Sequence, residues 1–215
     1  MQIKKIVDLS IPVTNETPVY PGDPKPHLCS AANIEEHGYN VSELNIGSHT
    51  GTHVDAPYHI VKDGKKIDEV SLDHFAGEGV VLDVTDKNPG AGITIDDIRD
   101  GLDKLQPGKI VLFHTGWDAH VGTDLYFEHP YLTIELVHEL LERGVRTFFI
   151  DALNIDPPDG SSFQAHEAIT GVNGIIGENF TNFDQIDFDA PFITAFPLKL
   201  SGIDGSPVRA VAMEL

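Results

Sequence analysis

The stretch Ser48-His49-Thr50-Gly51-Thr52-His53-Val54-Asp55-Ala56-Pro57-Tyr58-His59 constrains this chain more than any other. It places three histidines and one aspartate at positions 49, 53, 55 and 59, all of them odd. An extended chain turns residues an even number apart to the same face. The spacing therefore predicts a strand or extended segment that presents a row of nitrogen and oxygen donors. Thr50, Thr52, Val54 and Ala56 are expected to point the other way and pack. A helix would stack His49 on His53 but rotate Asp55 and His59 off that face. Gly51, Pro57 and the β-branched residues between them also oppose a helix. Imidazole with carboxylate is a donor set for zinc, manganese or iron. A lone histidine would carry no such message, whereas four donors in phase do.

The rest of the composition narrows the partners. Fourteen basic residues against thirty-four acidic ones leave a formal charge of −20. That balance excludes nucleic acid and an anionic membrane surface as partners, since both need positive charge. The acids are scattered, as on a solvated surface. With 215 residues, 40% of them hydrophobic, the chain is read as one domain, 1–215, with a real core. The single cysteine, Cys29, forms no internal disulfide and is expected to be a small packed side chain rather than a nucleophile. This fits a cytoplasmic protein. The opening Met-Gln-Ile-Lys-Lys-Ile-Val-Asp shows no signal-peptide pattern, and no window has the length of a membrane span.

Along the chain, strands are expected at 3–9, 39–47, 78–84, 109–113, 145–150, 172–176, 192–200 and 207–213, from short apolar or alternating runs. The segment 10–26 carries five prolines and is expected to be a stiff irregular arm in which Tyr20 lines a pocket. Two helices are expected. The first spans 94–105, with Thr94 and Asp97 as its capping pair. The second spans 133–143 and stops at Gly144. A short helix at His166-Glu167-Ala168-Ile169 completes the pattern. Many strands and few helices point to an α/β fold with a mixed β-sheet in one domain.

Two later residues, His166 and Glu178, are further donor candidates, Glu178 because it follows an apolar strand. Neither is informative by itself. The donor segment, however, resembles the signature of the cyclase-like metal hydrolases, whose best-known members are bacterial kynurenine formamidases. The similarity extends through Asp8-Leu9-Ser10, Thr17 to Asp23, Arg143-Gly144-Val145, Ala165-His166, Pro197 to Leu200 and Gly205 to Ala210. The resemblance implies a swivelling β/β/α domain assembled into homodimers or homotetramers. It implies that His49, His53 and Asp55 hold one divalent metal, zinc or manganese. Asp55 would bridge to a second metal held also by His166 and Glu178, and His59 would transfer protons. Two departures bear on the substrate. Tyr20 stands where kynurenine formamidases tend to carry tryptophan, and His114 stands where a basic residue is expected.

These readings converge on metal-assisted hydrolysis of an aromatic amide such as N-formyl-L-kynurenine, with Tyr20 and Trp117 stacking on the ring. Opening of a cyclic amide such as isatin is the nearest rival. A non-catalytic metal-binding protein is the more distant one, because an open coordination position is not visible in a sequence.

Overall fold

The computed structural model describes residues 2–215. Its strands are β1 (Lys5–Asp8), β2 (His27–Ala32), β3 (Val41–Asn45), β4 (His53–Asp55), β5 (Ala76–Asp83), β6 (Gly92–Ile93) and β7 (Ile110–His114), followed by β8 (Tyr131–Leu132), β9 (Thr147–Ile150), β10 (Ile175–Glu178), β11 (Phe192–Thr194), β12 (Gly205–Pro207) and β13 (Val211–Glu214). The α-helices are α1 (Ile34–His37), α2 (Ile134–Glu142) and α3 (Gln164–Gly171).

The runs Ile110-Val111-Leu112-Phe113 and Thr147-Phe148-Phe149-Ile150 are buried throughout. Strands without polar alternation need cover on both faces, which places them inside a sheet. They lie at the centre of a nine-stranded sheet of order β1-β13-β11-β5-β7-β9-β10-β4-β12. The middle four, β5, β7, β9 and β10, are parallel. Antiparallel strands extend the sheet on both sides, so it is mixed, as expected.

Period-two alternation divides the core. Val111, Phe113, Phe148, Ile150 and Ile176 face one layer, where α2 supplies Leu136, Val137 and Leu140, and α3 supplies Ala165 and Ile169. Ile110, Leu112, Phe149 and Ile175 face the other, where the sheet curls back to bring Leu9, Val54, Phe180 and Ile193 against them. Helix α2 ends at Gly144, whose φ of +87° and close approach to Pro107 both require glycine.

Several boundaries differ from the sequence expectation. Residues 95–104 form a 3-10 helix rather than an α-helix. Gly101 and four aspartates are weak α-formers, and a Cβ on Gly101 would overlap Leu82 on β5. The expected pair is present: Asp97 Oδ2 accepts from the Thr94 N–H and hydroxyl at 2.7 and 2.8 Å. Helix α3 ends at Gly171, and Val172 to Gly174 form its cap and the turn that follows rather than the start of a strand, so β10 begins at Ile175 and Val172 is exposed. The late strand expected at 192–200 stops at Thr194. β2 was not expected at all. It pairs only with β3, forming a two-stranded arm that leaves Tyr39, Val41 and Leu44 exposed. Cys29 lies exposed on this arm, not packed as expected, because the arm has no second layer to bury it. No helix among the described residues is long and apolar enough to cross a membrane.

Candidate functional site

The donor segment is not one continuous strand. A turn occupies 48–52, with Gly51 at φ +66°. Only His53–Asp55 forms a strand, and Pro57–His59 is a 3-10 turn begun by Pro57. The even-numbered residues are nonetheless buried as expected: Thr50, Thr52, Val54 and Ala56 are all within 2% of full burial. The odd-numbered donors converge because the chain bends around them rather than because it stays straight.

Register completes the cluster. β4 lies between β10 and β12, with His53 opposite Glu178 and Asp55 opposite Gly205. Opposed residues share a face, so His53, Asp55 and Glu178 point together toward α3, which carries His166. Asp55 Oδ1 lies 3.4 Å from His53 Nε2, and Asp55 Oδ2 lies 3.4 Å from His166 Nε2. Glu178 repeats the pattern, Oε2 3.5 Å from His53 Nε2 and Oε1 3.5 Å from His166 Nε2. Each carboxylate thus offers one oxygen to each imidazole.

Both imidazoles are fixed from behind. His53 Nδ1 lies 2.8 Å from the Gly51 carbonyl, which can only accept, so Nδ1 carries the proton and Nε2 faces the carboxylates. His166 Nδ1 donates to Asp156 Oδ2 at 2.7 Å with the same result. Asp156 also accepts from the backbone N–H of Ala165 and of His166, which anchors the start of α3. Such backing is how ligating histidines are commonly oriented.

His53 Nε2 and Asp55 Oδ2 are buried and have no hydrogen-bond partner. Buried polar atoms are rarely left so. Donors bound to a tetrahedral ion at about 2.1 Å lie about 3.4 Å apart, which matches the contacts just given. The residues therefore fit a divalent cation. Two three-residue groups bring their ligand atoms within 4.8 Å of one another: His53, Asp55 and Glu178, and His49, Asp55 and His59. The expected division pairs His53 with His49 and Glu178 with His166, and His166 Nε2 also stands 3.4 Å from Asp55 and 3.5 Å from Glu178. Asp55 belongs to both groups.

The electrostatics agree. Burial alone would discharge His49, but Asp55 and Asp204 outweigh it and push its pKa up to about 11. His166 behaves alike: burial opposes its charge, while Asp156, Asp55 and Glu178 raise it to about 10. Burial would raise Asp55, but His49, His166 and His53 hold it well below the usual carboxylate range. The pocket thus carries a strong negative potential that favours positive charge.

The cluster forms the floor of a cavity of about 250 Å³. His59 lies in its wall, its ring 4.1 Å from that of His49 and 5.7 Å from that of His166. Asp204 touches both His49 Nε2 at 3.0 Å and His59 Nδ1 at 3.6 Å. Tyr20 lines the cavity as expected, facing Phe163 at 6.5 Å between ring centroids. Leu153, Asn154 and Asp23 complete the rim. Trp117 does not line the cavity. Its ring is buried in the helical-side core and its Nε1 donates to the Leu125 carbonyl at 3.1 Å. His114 also stands apart, at the end of β7 against Phe183.

Sequence reasoning missed Asp156, Asp204, Asp23 and Phe163. Asp156 sits ten residues before His166 in a loop with no periodic signal. Asp204 is separated from His49 by 155 positions, and only its neighbour Gly205 fell within a motif.

The sequence model of the putative cyclase family matches residues 7–157. The kynurenine formamidase of Salinibacter ruber is 33% identical over 212 residues, covering 96% of each chain. Isatin hydrolase A from Labrenzia aggregata, solved with benzyl benzoate, has a TM-score of 0.89 and 26% identity over 97% of this chain and 93% of that one. An isatin hydrolase bound to the product analogue thioisatinate reaches a TM-score of 0.91 at 21% identity, over 98% and 92%, a likeness of fold. With the family match spanning most of the sequence and a paired-carboxylate, paired-imidazole basin at the strand ends, this chain belongs to the putative cyclase family.

Proposed function

We propose that this protein is a metal-dependent amidohydrolase that converts N-formyl-L-kynurenine to kynurenine and formate, a step in tryptophan degradation, with 1–215 acting as one catalytic domain. The observation that carries it is the pair of buried, partnerless atoms, His53 Nε2 and Asp55 Oδ2, beneath a cavity that also holds His59. His49, His53 and Asp55 would hold one zinc or manganese ion. His166 and Glu178 would hold a second, with Asp55 shared. Divalent ions so bound supply Lewis acidity, lowering the pKa of water toward about 7 and polarising a carbonyl oxygen.

The chain's own residues do the rest. Tyr20 and Phe163 take the aromatic ring of the substrate, which leaves the small formyl group to reach the floor. His59, backed by Asp204, takes a proton from the water that attacks the formyl carbon. It then delivers that proton to the arylamine nitrogen as the C–N bond breaks. Proton transfer of this kind contributes about 10²–10⁴-fold. Asp204, touching both imidazoles, keeps His59 aligned with His49.

Formate release tests the proposal. His53→Ala is expected to lose metal and turnover together, and His59→Ala to keep metal and lose about 10²–10⁴-fold in rate. Native rates in both variants would end it. Opening of a cyclic amide such as isatin is the second reading, supported by the likeness to isatin hydrolase A, and the native protein assayed for formate release from N-formylkynurenine against ring opening of isatin separates the two. The formamidase reading is preferred because the formamidase relative shares more of the sequence over a similar length.

The β2–β3 arm is the proposed contact between copies in a homodimer or homotetramer. A two-stranded sheet is marginal without cover, and this one exposes Val41 and Leu44. The exposed single cysteine, Cys29, fits the reducing cytoplasm.

A further inference from the structure

Besides its histidines, the cavity is lined by aromatic and acidic side chains, Tyr20, Phe163, Asp23 and Glu178 among them. Tyr20-Pro21-Gly22-Asp23 forms a tight turn closed by the Asp23 N–H to the Tyr20 carbonyl at 3.0 Å. Pro21 sets the first corner and Gly22, at φ +107°, the second. The turn carries Tyr20 at one end and Asp23 at the other, and both line the cavity. Asp23 is half-buried, and among the described residues its carboxylate accepts no hydrogen bond and makes no ion pair. No lysine or arginine lines this cavity. The nearest in sequence, Lys25, lines a different hollow with Asn15 and Thr17. Carboxylates of Glu178, Asp156, Asp23 and Asp159 all bear on the Tyr20 hydroxyl, which burial first and then these charges push above its ordinary pKa. An aromatic ring and a free carboxylate lining one cavity are suited to an alkylammonium, through cation–π attraction and direct pairing. It repels a carboxylate. The floor beneath is independently marked as a binding site by the partnerless His53 Nε2.

From this geometry we infer that Asp23, with Tyr20, is a specificity determinant that pairs with an ammonium on the substrate's tail, so that the preferred substrates are aryl amides whose side chain carries a free amine. This rests on the amidohydrolase reading. It adds that the α-amino group of an N-formylkynurenine is read by the protein, whereas its α-carboxylate is left to solvent.

The test compares three tails: N-formylkynurenine itself, its decarboxylated analogue with the ammonium alone, and its deaminated analogue with the carboxylate alone. In the native enzyme kcat/KM is expected to favour the ammonium-only over the carboxylate-only tail by about fivefold, the size of one partly exposed ion pair. Asp23→Asn should narrow that ratio to about twofold, and Asp23→Lys should invert it. A native preference for the carboxylate-only tail, or equal losses on all three substrates in Asp23→Asn, would overturn the inference. If no tail is hydrolysed, the formamidase reading fails by itself. The charge preference is then read from calorimetric binding of the three deformylated amines, with the same order and the same inversion required.

Discussion

Replacing Asp156 tests the joint between fold and site most directly. Its Oδ1 accepts from Ala165 N at 2.8 Å, and its Oδ2 accepts from His166 N at 3.0 Å and His166 Nδ1 at 2.7 Å. Asp156, Ala165 and His166 are all within about 2% of full burial. Asp156→Ala strands two backbone N–H groups and one ring N–H. At about 1–3 kcal/mol for each backbone donor left without an acceptor, the loss is roughly 2–6 kcal/mol. That is a large share of the 5–15 kcal/mol typical of a domain. Asp156→Asn is milder. With its carbonyl in the Oδ2 position it keeps both bonds to His166 and turns an NH₂ toward Ala165 N, a loss of about 1–3 kcal/mol. The ring remains held, so metal affinity should fall less than the 10–100-fold expected for the alanine variant. Urea unfolding gives the stability change, and titration with a competing chelator gives the affinity. An alanine variant with native midpoint and native affinity would refute the claim that Asp156 both starts α3 and aims His166.

Gly205→Ala should push the His49 ring aside, because the new Cβ would fall 2.9 Å from His49 Cε1 and 2.9 Å from the Val54 carbonyl oxygen. Metal titration is expected to show weaker binding, with stability lower by about 1–3 kcal/mol in urea. Asp151 is buried against its charge and its pKa rises to about 6, despite hydrogen bonds from Thr115 and Gly116. Between the unfolded value near 3.8 and about 6 the folded chain holds a proton that the unfolded chain has released. The Asp151 contribution therefore makes stability fall as pH rises through that window, by roughly 3 kcal/mol in total. Asp151→Asn should remove this slope in unfolding measured from pH 4 to 6, and an unchanged slope would contradict the assignment. Leu44→Lys on the arm is expected to turn an oligomer into a monomer in light scattering, and a native chain that is already monomeric sinks the arm contact.

Legibility followed the range of each signal. The buried parallel strands were readable because Ile110 to Phe113 and Phe148 to Ile150 are apolar at every position. The donor types in the 49–59 segment were readable because they sit within a dozen residues. Its backbone was not: donors at odd positions fit a straight strand, but Gly51 and Pro57 turn the chain at both ends of a three-residue strand. Glycine and proline opposed a helix correctly, but they were equally able to bend the alternative. Residues 95–104 show the same limit. The apolar spacing of Ile95, Ile98 and Leu102 follows the 3.6-residue α period, and the weak α-formers of the run with the close packing of Gly101 on Leu82 overrode it. The β2–β3 arm was half seen, since β2 lacks alternation and faces solvent nearly throughout. Asp156 and Asp204 were invisible because their partners are set by tertiary structure alone.

The site itself is a statement about register. On β4, His53 and Asp55 face α3, and Val54 between them packs in the opposite core layer. On β10, Ile176 and Glu178 face α3, and Gly177 between them lies under Phe149 and Phe180, whose rings stack at 4.4 Å. A Cβ on Gly177 would come within 2.7 Å of Phe180 Cε2, so the glycine lets β10 lie flat against that aromatic pair. Slipping either strand by one residue would bury a carboxylate in the aromatic layer and turn Val54 or Gly177 into the cavity. The apolar packing on one face therefore locks in place the charged groups on the other. Two carboxylates can each stand within 3.5 Å of the same two imidazoles only because the layer behind them forbids every other alignment.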